Sequence, residues 1–346
     1  MSCRRSTTCR SAPCGRERPV RPSSIRCNPT MEVTMTRRFV CQLVFAALAG
    51  LTLLAAPAGA RAAGPEAGPA STPVSGKERI VVMEWAGLET LLALGVTPVG
   101  AADAGGYREW VSTPALPEAV AEVGSRQEPN LEELARLKPD LILSHAHLRP
   151  LKGKLEAIAP VEDVTLNGTG TDTYEAVLEG TRRIGALTGK AQAAEALIDS
   201  ADTAFEADAS KLAAAGLAGR SIYFVRIIDG NALRVHGKGS VAGTVLSRLG
   251  LTNAYQGTVN EWGFATVEPS ALAEDPKAAI VVAGPVRDDQ MAAVFDTPLG
   301  RALPAVRAKA VHGLPVTWTF GGIPSAIHMA DAIAAALTQR SAETGN

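Results

Sequence analysis

"RIVVMEWAGLETLLALGVTPVGAAD", residues 79–103, decides the fold. A β-rich apolar run, 79–85, ends at Trp85. "GLETLLALG" then reads as a helix stopping at Gly95, and "TPVGAAD", 97–103, as the next strand. Strand, helix and strand in immediate succession imply a parallel pair, because the helix carries the chain back to the starting edge.

Outward from this unit the rhythm repeats. "NLEELARLKPD", 130–140, reads as a helix with Asn130 as its N-cap and Glu133 at the capping-box position. "LILSH", 141–145, and "PVEDVTL", 160–166, read as strands. From Thr173 the chain turns helical. Tyr174, Val177, Leu178, Thr181, Ile184 and Leu187 form one apolar stripe, and Leu197, Ile198, Ala201, Phe205 and Leu212 form another. Strands and helices alternate again through "SIYFVRII" (221–228), "ALRVHG" (232–237), "VAGTVLSRLG" (241–250) and "AAIVVAG" (278–284). A closing strand near 311 and a final helix from about Pro324 end the pattern. The fold class is therefore α/β: two α/β lobes with mainly parallel sheets, 78–172 and 189–346, joined by a helix over 173–188. A helical joint is stiffer than a Gly/Ser linker and suits two lobes held at a nearly constant angle.

The N-terminus is of another kind. "RRFVCQLVFAALAGLTLLAA", 37–56, is a basic pair, an apolar run and small residues, with "AGA" (58–60) and "ARA" (60–62) as cleavage sites. Residues 35–62 read as a signal peptide for export to the periplasm, with 63–77 as a linker; a retained anchor is the alternative. Residues 1–34 read as an over-extended gene start, with a basic disordered tail as the alternative. Cleavage near Arg61 or Ala63 removes all five cysteines and nine Arg against two Glu. The 25 basic and 33 acidic residues left give a net charge near −8, which argues against nucleic acid as partner. Without cysteine, thiol catalysis and Cys-based metal sites are excluded.

All four tryptophans stand outside the helical stripes: Trp85, Trp110, Trp262 and Trp318. With Tyr107, Tyr255, Phe264 and Phe320 they form an aromatic set at strand ends and loops of both lobes, which suits a bulky, partly apolar ligand. Packing of such aromatics back onto the core is the alternative. In "VTWTFGGIPS", 316–325, Gly321 and Gly322 are expected to let the chain turn sharply, with Trp318 and Phe320 facing Trp110 across a cleft. Arg126 offers a five-donor fork to ligand oxygens. His145 and His147 could hold a metal, but no third histidine stands at comparable spacing. No Gly-x-Ser-x-Gly, P-loop, strand-linked Gly-x-Gly-x-x-Gly or His-Glu-x-x-His occurs, so the chain does not read as an enzyme.

The segments "GSRQEPNLEELARLKPD", "YREWV", "NAYQG…NEWG" and "TWTFGG" resemble the periplasmic ferric-hydroxamate siderophore-binding proteins of ABC importers, over about residues 79–340. The resemblance implies the class III periplasmic-binding fold, with a shallow aromatic cleft. It implies capture of a ferric siderophore, hydroxamate or mixed citrate–hydroxamate, and delivery to an inner-membrane ABC permease with its ATPase. It further implies a monomer with no cofactor of its own, the iron being held by the siderophore. Haem or a corrinoid on the same scaffold is the alternative.

By this resemblance Arg126 matches the arginine facing the hydroxamate oxygens, and Trp110, Trp262 and Trp318 match cleft tryptophans. Tyr255 stands where Trp is usual, and Phe320 and Phe264 where Tyr and Ser are usual. Leu148 and Ser144 replace a cleft Tyr and Trp. Trp85 completes the aromatic set. Arg226 and Arg234 replace small or apolar residues, which points to extra anionic oxygens on the ligand. Glu156 and Glu268 are the candidate permease contacts, with Gly153 at the usual first-lobe Glu position.

Overall fold

A computed structural model describes residues 79–167 and 172–344. The extension, signal peptide and linker inferred over 1–77, and all five cysteines, lie outside the described residues. The first sheet holds β1 (Ile80–Val82), β2 (Gly100–Ala101), β3 (Ala121–Glu122), β4 (Leu141–Ser144) and β5 (Val161–Asp163), in the order β3-β2-β1-β4-β5. Every pairing in it is parallel. Its connections carry α1 (Trp85–Ala93), α2 (Ala104–Trp110), α3 (Leu131–Leu137) and α4 (Lys152–Glu156).

Two helices follow, α5 (Thr173–Leu187) and the 24-residue α6 (Ala191–Ala214). The second sheet contains β6 (Ser221–Ile227), β7 (Leu233–His236), β8 (Thr252–Asn253), β9 (Phe264–Val267), β10 (Ala279–Gly284) and β11 (Val311–Val316). Its order is β11-β10-β6-β7-β9, with β8 paired to β6. β11, β10, β6 and β8 run parallel, whereas β7 pairs antiparallel with both β6 and β9. Helices α7 (Val241–Arg248), α8 (Asp288–Phe295), α9 (Pro298–Ala302), α10 (Pro304–Arg307) and α11 (Ile323–Thr344) complete this half.

The caps are local and readable. The Asn130 side chain accepts from the backbone N–H of Glu132 and Glu133, and Asp172 does the same for Tyr174 and Glu175. Glu133 pairs with Arg136 within α3. One strand-end reading shifts: β1 stops at Val82 and Trp85 opens α1, because Glu84 caps that helix through the Gly87 N–H.

The described residues fall in one compact unit, and its largest core runs through both halves. Leu88 and Leu91 of α1 share it with Val177 and Ile184 of α5, Phe205 of α6, and Met329 and Ile333 of α11. Each such side chain contributes about 1.5–3 kcal/mol by leaving water. A core common to both halves resists hinge opening, since opening would expose it. Two smaller cores lie on the outer faces of the sheets.

Candidate functional site

A cavity of about 540 Å³ opens between the carboxyl ends of the first sheet and the β7–β9 side of the second. Its first-lobe lining includes Glu84, Arg126, Gln127, His145, His147 and Asn167. Its second-lobe lining is Arg234, Trp262, Phe264, Trp318 and Phe320.

Phe320 is the hub of the aromatic wall. Its ring centroid lies 5.6 Å from Trp318, 5.7 Å from Trp262, 5.8 Å from Phe264 and 5.8 Å from His236. These rings come from β7, β9, the turn before β9 and the turn after β11, so the wall exists only once the sheet has formed. The turn carrying Trp318 and Phe320 is gripped by the first lobe. Asn167 Nδ2 donates to the Phe320 carbonyl at 2.8 Å. Glu89, fully buried on α1, accepts from the Gly322 N–H and from Ser325 Oγ, the latter at 2.6 Å. Burial raises the Glu89 carboxyl to about 8.

The glycines of this turn serve a purpose other than the one inferred from sequence. Neither Gly321 nor Gly322 has positive φ. A Cβ on Gly321 would strike Ser325 and Glu89, and one on Gly322 would approach Thr90 Oγ1 at 2.8 Å. They allow close approach of α1, not a sharp turn.

Arg126 is built into the opposite wall. Its guanidinium lies 3.7 Å from the Trp85 ring centroid, and its Nε donates to Asp103 at 3.3 Å. The Nη groups remain available to the cavity. Glu84 lies beside it, and burial holds that carboxyl above its ordinary range. His145 Nε2 donates to the Arg126 carbonyl at 3.2 Å, and burial lowers its pKa. His147 stacks on Trp262 across the cavity at 5.3 Å and 15°. Among the described residues no three His, Cys, Asp or Glu gather as a metal site.

Arg126, Trp262, Phe264, Trp318 and Phe320 thus line one cavity, as the sequence reading expects. Four expected residues do not. Trp85 is 3% exposed and lies beneath Arg126, its indole N–H donating to the Asp103 carbonyl at 3.1 Å. Trp110, expected on a loop opposite Trp318, ends α2 and faces the Arg226 guanidinium at 5.0 Å. Arg226 is spent as a brace, its Nη2 donating to the carbonyls of Gly284 at 3.0 Å and Thr317 at 2.9 Å. Tyr255 packs on the second-lobe core with its hydroxyl donating to the Thr258 carbonyl. Leu148 and Ser144, the two replacement positions, are buried.

Glu84, Gln127 and Asn167 were missed. None of the three has a local signal: Glu is not among the favoured cap residues, and the run through Trp85 reads as strand. Glu156 and Glu268 are exposed, one on each lobe. No described helix is long and apolar enough to cross a membrane.

Two α/β halves sharing a core around an aromatic cleft define a ligand receptor, and the chain belongs to the periplasmic binding protein family, whose sequence model matches residues 80–316. Within that family it is similar to the iron(3+)-hydroxamate-binding protein FhuD of Escherichia coli (strain K12), 32% identical over 250 residues, or 72% of this chain and 83% of that protein. The structure is similar to the crystal structure of the Fe3+–Desferal-bound siderophore-binding protein FhuD from Vibrio cholerae. The TM-score is 0.72 at 30% identity, covering 76% of this chain and 98% of that one. A shorter similarity, 32% over 128 residues, covers 35% of this chain and 40% of the Fe(3+) dicitrate-binding periplasmic protein FecB of Escherichia coli (strain K12).

Proposed function

We propose that this protein is a periplasmic receptor that captures a ferric siderophore, hydroxamate or mixed citrate–hydroxamate, and hands it to an inner-membrane ABC permease with its ATPase. It acts as a monomer and performs no chemistry on its cargo. The observation that carries the reading is Arg126, stacked on Trp85 and oriented by Asp103, with its remaining donors facing a cavity otherwise walled by aromatic rings. Charge-assisted hydrogen bonds suit oxygens that share electron density with iron, and rings suit the organic backbone around them. The similarity to an iron(3+)-hydroxamate-binding protein and to an Fe3+–Desferal-bound siderophore-binding protein supports it. Haem or a corrinoid is not favoured by the similar proteins, which are an iron(3+)-hydroxamate-binding protein and a siderophore-binding protein.

The test is a fluorescence titration with a panel of ferric siderophores. Iron quenches nearby indoles, and Trp262 and Trp318 line the cavity while Trp85 lies 4.9 Å from Trp318. Saturable quenching is expected, and Trp318→Ala should weaken binding by about 1–3 kcal/mol. A lowered melting temperature with unchanged affinity would make this turn core packing alone. Glu156 and Glu268 are the proposed permease contacts. Reversing both charges should abolish uptake while leaving ligand binding intact.

A further inference from the structure

The second-lobe wall holds a charge arrangement that the receptor reading leaves unexplained. Arg226 on β6 and Arg234 on β7 stand directly opposite one another in an antiparallel pair. Directly opposed like charges destabilise a sheet. Burial, and then the Arg234 charge, lower the Arg226 pKa to about 10. Near them, with its ring 6.0 Å from that of Phe264, lies His236, fully buried, with both ring nitrogens unpartnered. Burial, then the two guanidinium charges, push it down to about 3, so it stays neutral and supplies no compensation.

No carboxylate answers this pair among the described residues. Arg226 spends its Nη2 on two backbone carbonyls, and its buried Nε has no partner. Arg234 makes no ion pair; its guanidinium lies 4.9 Å from the Phe264 ring centroid and borders the cavity. Glu84 is the one carboxyl group on the cavity lining. It caps α1 and sits with Arg126 on the other wall, so it offsets that arginine. The second wall therefore carries, among the described residues, a cation without a protein counter-charge at the edge of the cavity.

We infer that the cleft selects a ferric complex of net negative charge, bearing carboxylate oxygens, over a neutral trihydroxamate complex, and that Arg234 is the residue that reads the difference. The inference rests on the receptor reading above and narrows it. A guanidinium fork accepts a carboxylate through two parallel hydrogen bonds, a contact that a neutral complex cannot return. Arg126 meets the oxygens at the iron from the first wall, and Arg234 meets the carboxylate from the second.

The experiment compares two probes by indole quenching: ferrichrome, a neutral ferric trihydroxamate, and ferric aerobactin, a citrate–dihydroxamate complex with net negative charge. The wild-type protein should bind ferric aerobactin at least about tenfold more tightly. Arg234→Gln should lose about tenfold or more on that complex and a clearly smaller factor on ferrichrome, whose cavity it also lines. Arg234→Lys should retain part of the preference, since it keeps the charge and loses the fork. Salt should weaken wild-type binding of the anionic complex and leave ferrichrome unaffected. Ferrichrome bound as tightly as the anionic complex, or an equal loss on both probes in Arg234→Gln, overturns the inference and leaves the receptor reading standing. Quenching by neither probe nor any other ferric siderophore overturns both.

Discussion

Both walls of the cleft present arginine, and they treat its charge in opposite ways. On the first lobe Arg126 is supported before any ligand arrives: Trp85 lies beneath it, Asp103 takes its Nε–H, and Glu84 stands alongside. On the second lobe Arg226 and Arg234 face each other across two strands with no acid between them. A supported arginine pre-organises a site, since little entropy is lost when the ligand docks. Arginines opposed without an acid partner repel one another, and an anionic ligand would relieve that repulsion. The first wall therefore supplies position, and the second supplies discrimination by charge.

The largest effect should come from breaking the supported wall. Arg126→Ala removes charge-assisted hydrogen bonds worth about 1.5–3 kcal/mol each, so affinity for a ferric siderophore should fall by at least about tenfold. The titration must be run on a variant whose circular dichroism matches the wild type. An unchanged affinity would mean that the pre-formed fork faces the solvent and not the ligand.

Asp103→Asn sharpens the comparison. It strips the charged partner from Arg126 and makes the first wall resemble the second. The stack on Trp85 remains, so the loss should be smaller than for Arg126→Ala, about two- to fivefold, the scale of a partly exposed ion pair. A loss equal to that of Arg126→Ala would show that Asp103, not the stack, sets the fork.

The first lobe also holds the aromatic turn of the second through Glu89, and that grip should depend on pH. The folded state keeps the Glu89 proton up to about pH 8, whereas the unfolded chain releases it near the ordinary 4.5. Between those values the folded state binds more protons, so raising the pH favours unfolding. The Glu89 contribution is complete below about 4.5 and is lost as the pH rises through about 8. Glu89→Gln keeps an acceptor for the Gly322 N–H and a donor for Ser325. Its melting temperature relative to wild type should therefore climb as the pH rises through that window, by roughly 2–4 °C for each kcal/mol the wild type loses. A constant difference would place the carboxyl in its ordinary range.

The smallest effect is expected from His147→Ala. The His147–Trp262 stack joins the two walls directly. Aromatic pairs of this kind contribute about 0.5–1.5 kcal/mol beyond their buried area. Binding should weaken by about twofold or less, the low end of that range, and the Trp262 emission should shift to the red as the ring gains water.

The sequence by itself determined the two α/β halves, the helices between them and which loops would carry aromatics. These follow from local physics: apolar runs bounded by Gly and Pro, stripes spaced three and four apart, and Asn130 before a helix. It also singled out Arg126 and four of the five second-lobe cleft residues. What it could not decide was depth. Trp85 and Trp318 look alike in sequence, yet Trp85 opens a helix and is covered by Arg126, while Trp318 follows a strand and meets the cavity. Gly321 and Gly322 read as a turn, because nothing local announces that Glu89, more than two hundred residues away, will press against them. The sequence does not tell the two second-lobe arginines apart for the same reason. Both occupy one face of one antiparallel pair, but β6 borders β10 and β7 borders β9. Arg226 therefore reaches the carbonyls of Gly284 and Thr317, while Arg234 is left beside Phe264 at the cavity. Strand order is a property of the assembled sheet, and no periodicity along the chain encodes which neighbour a side chain will meet.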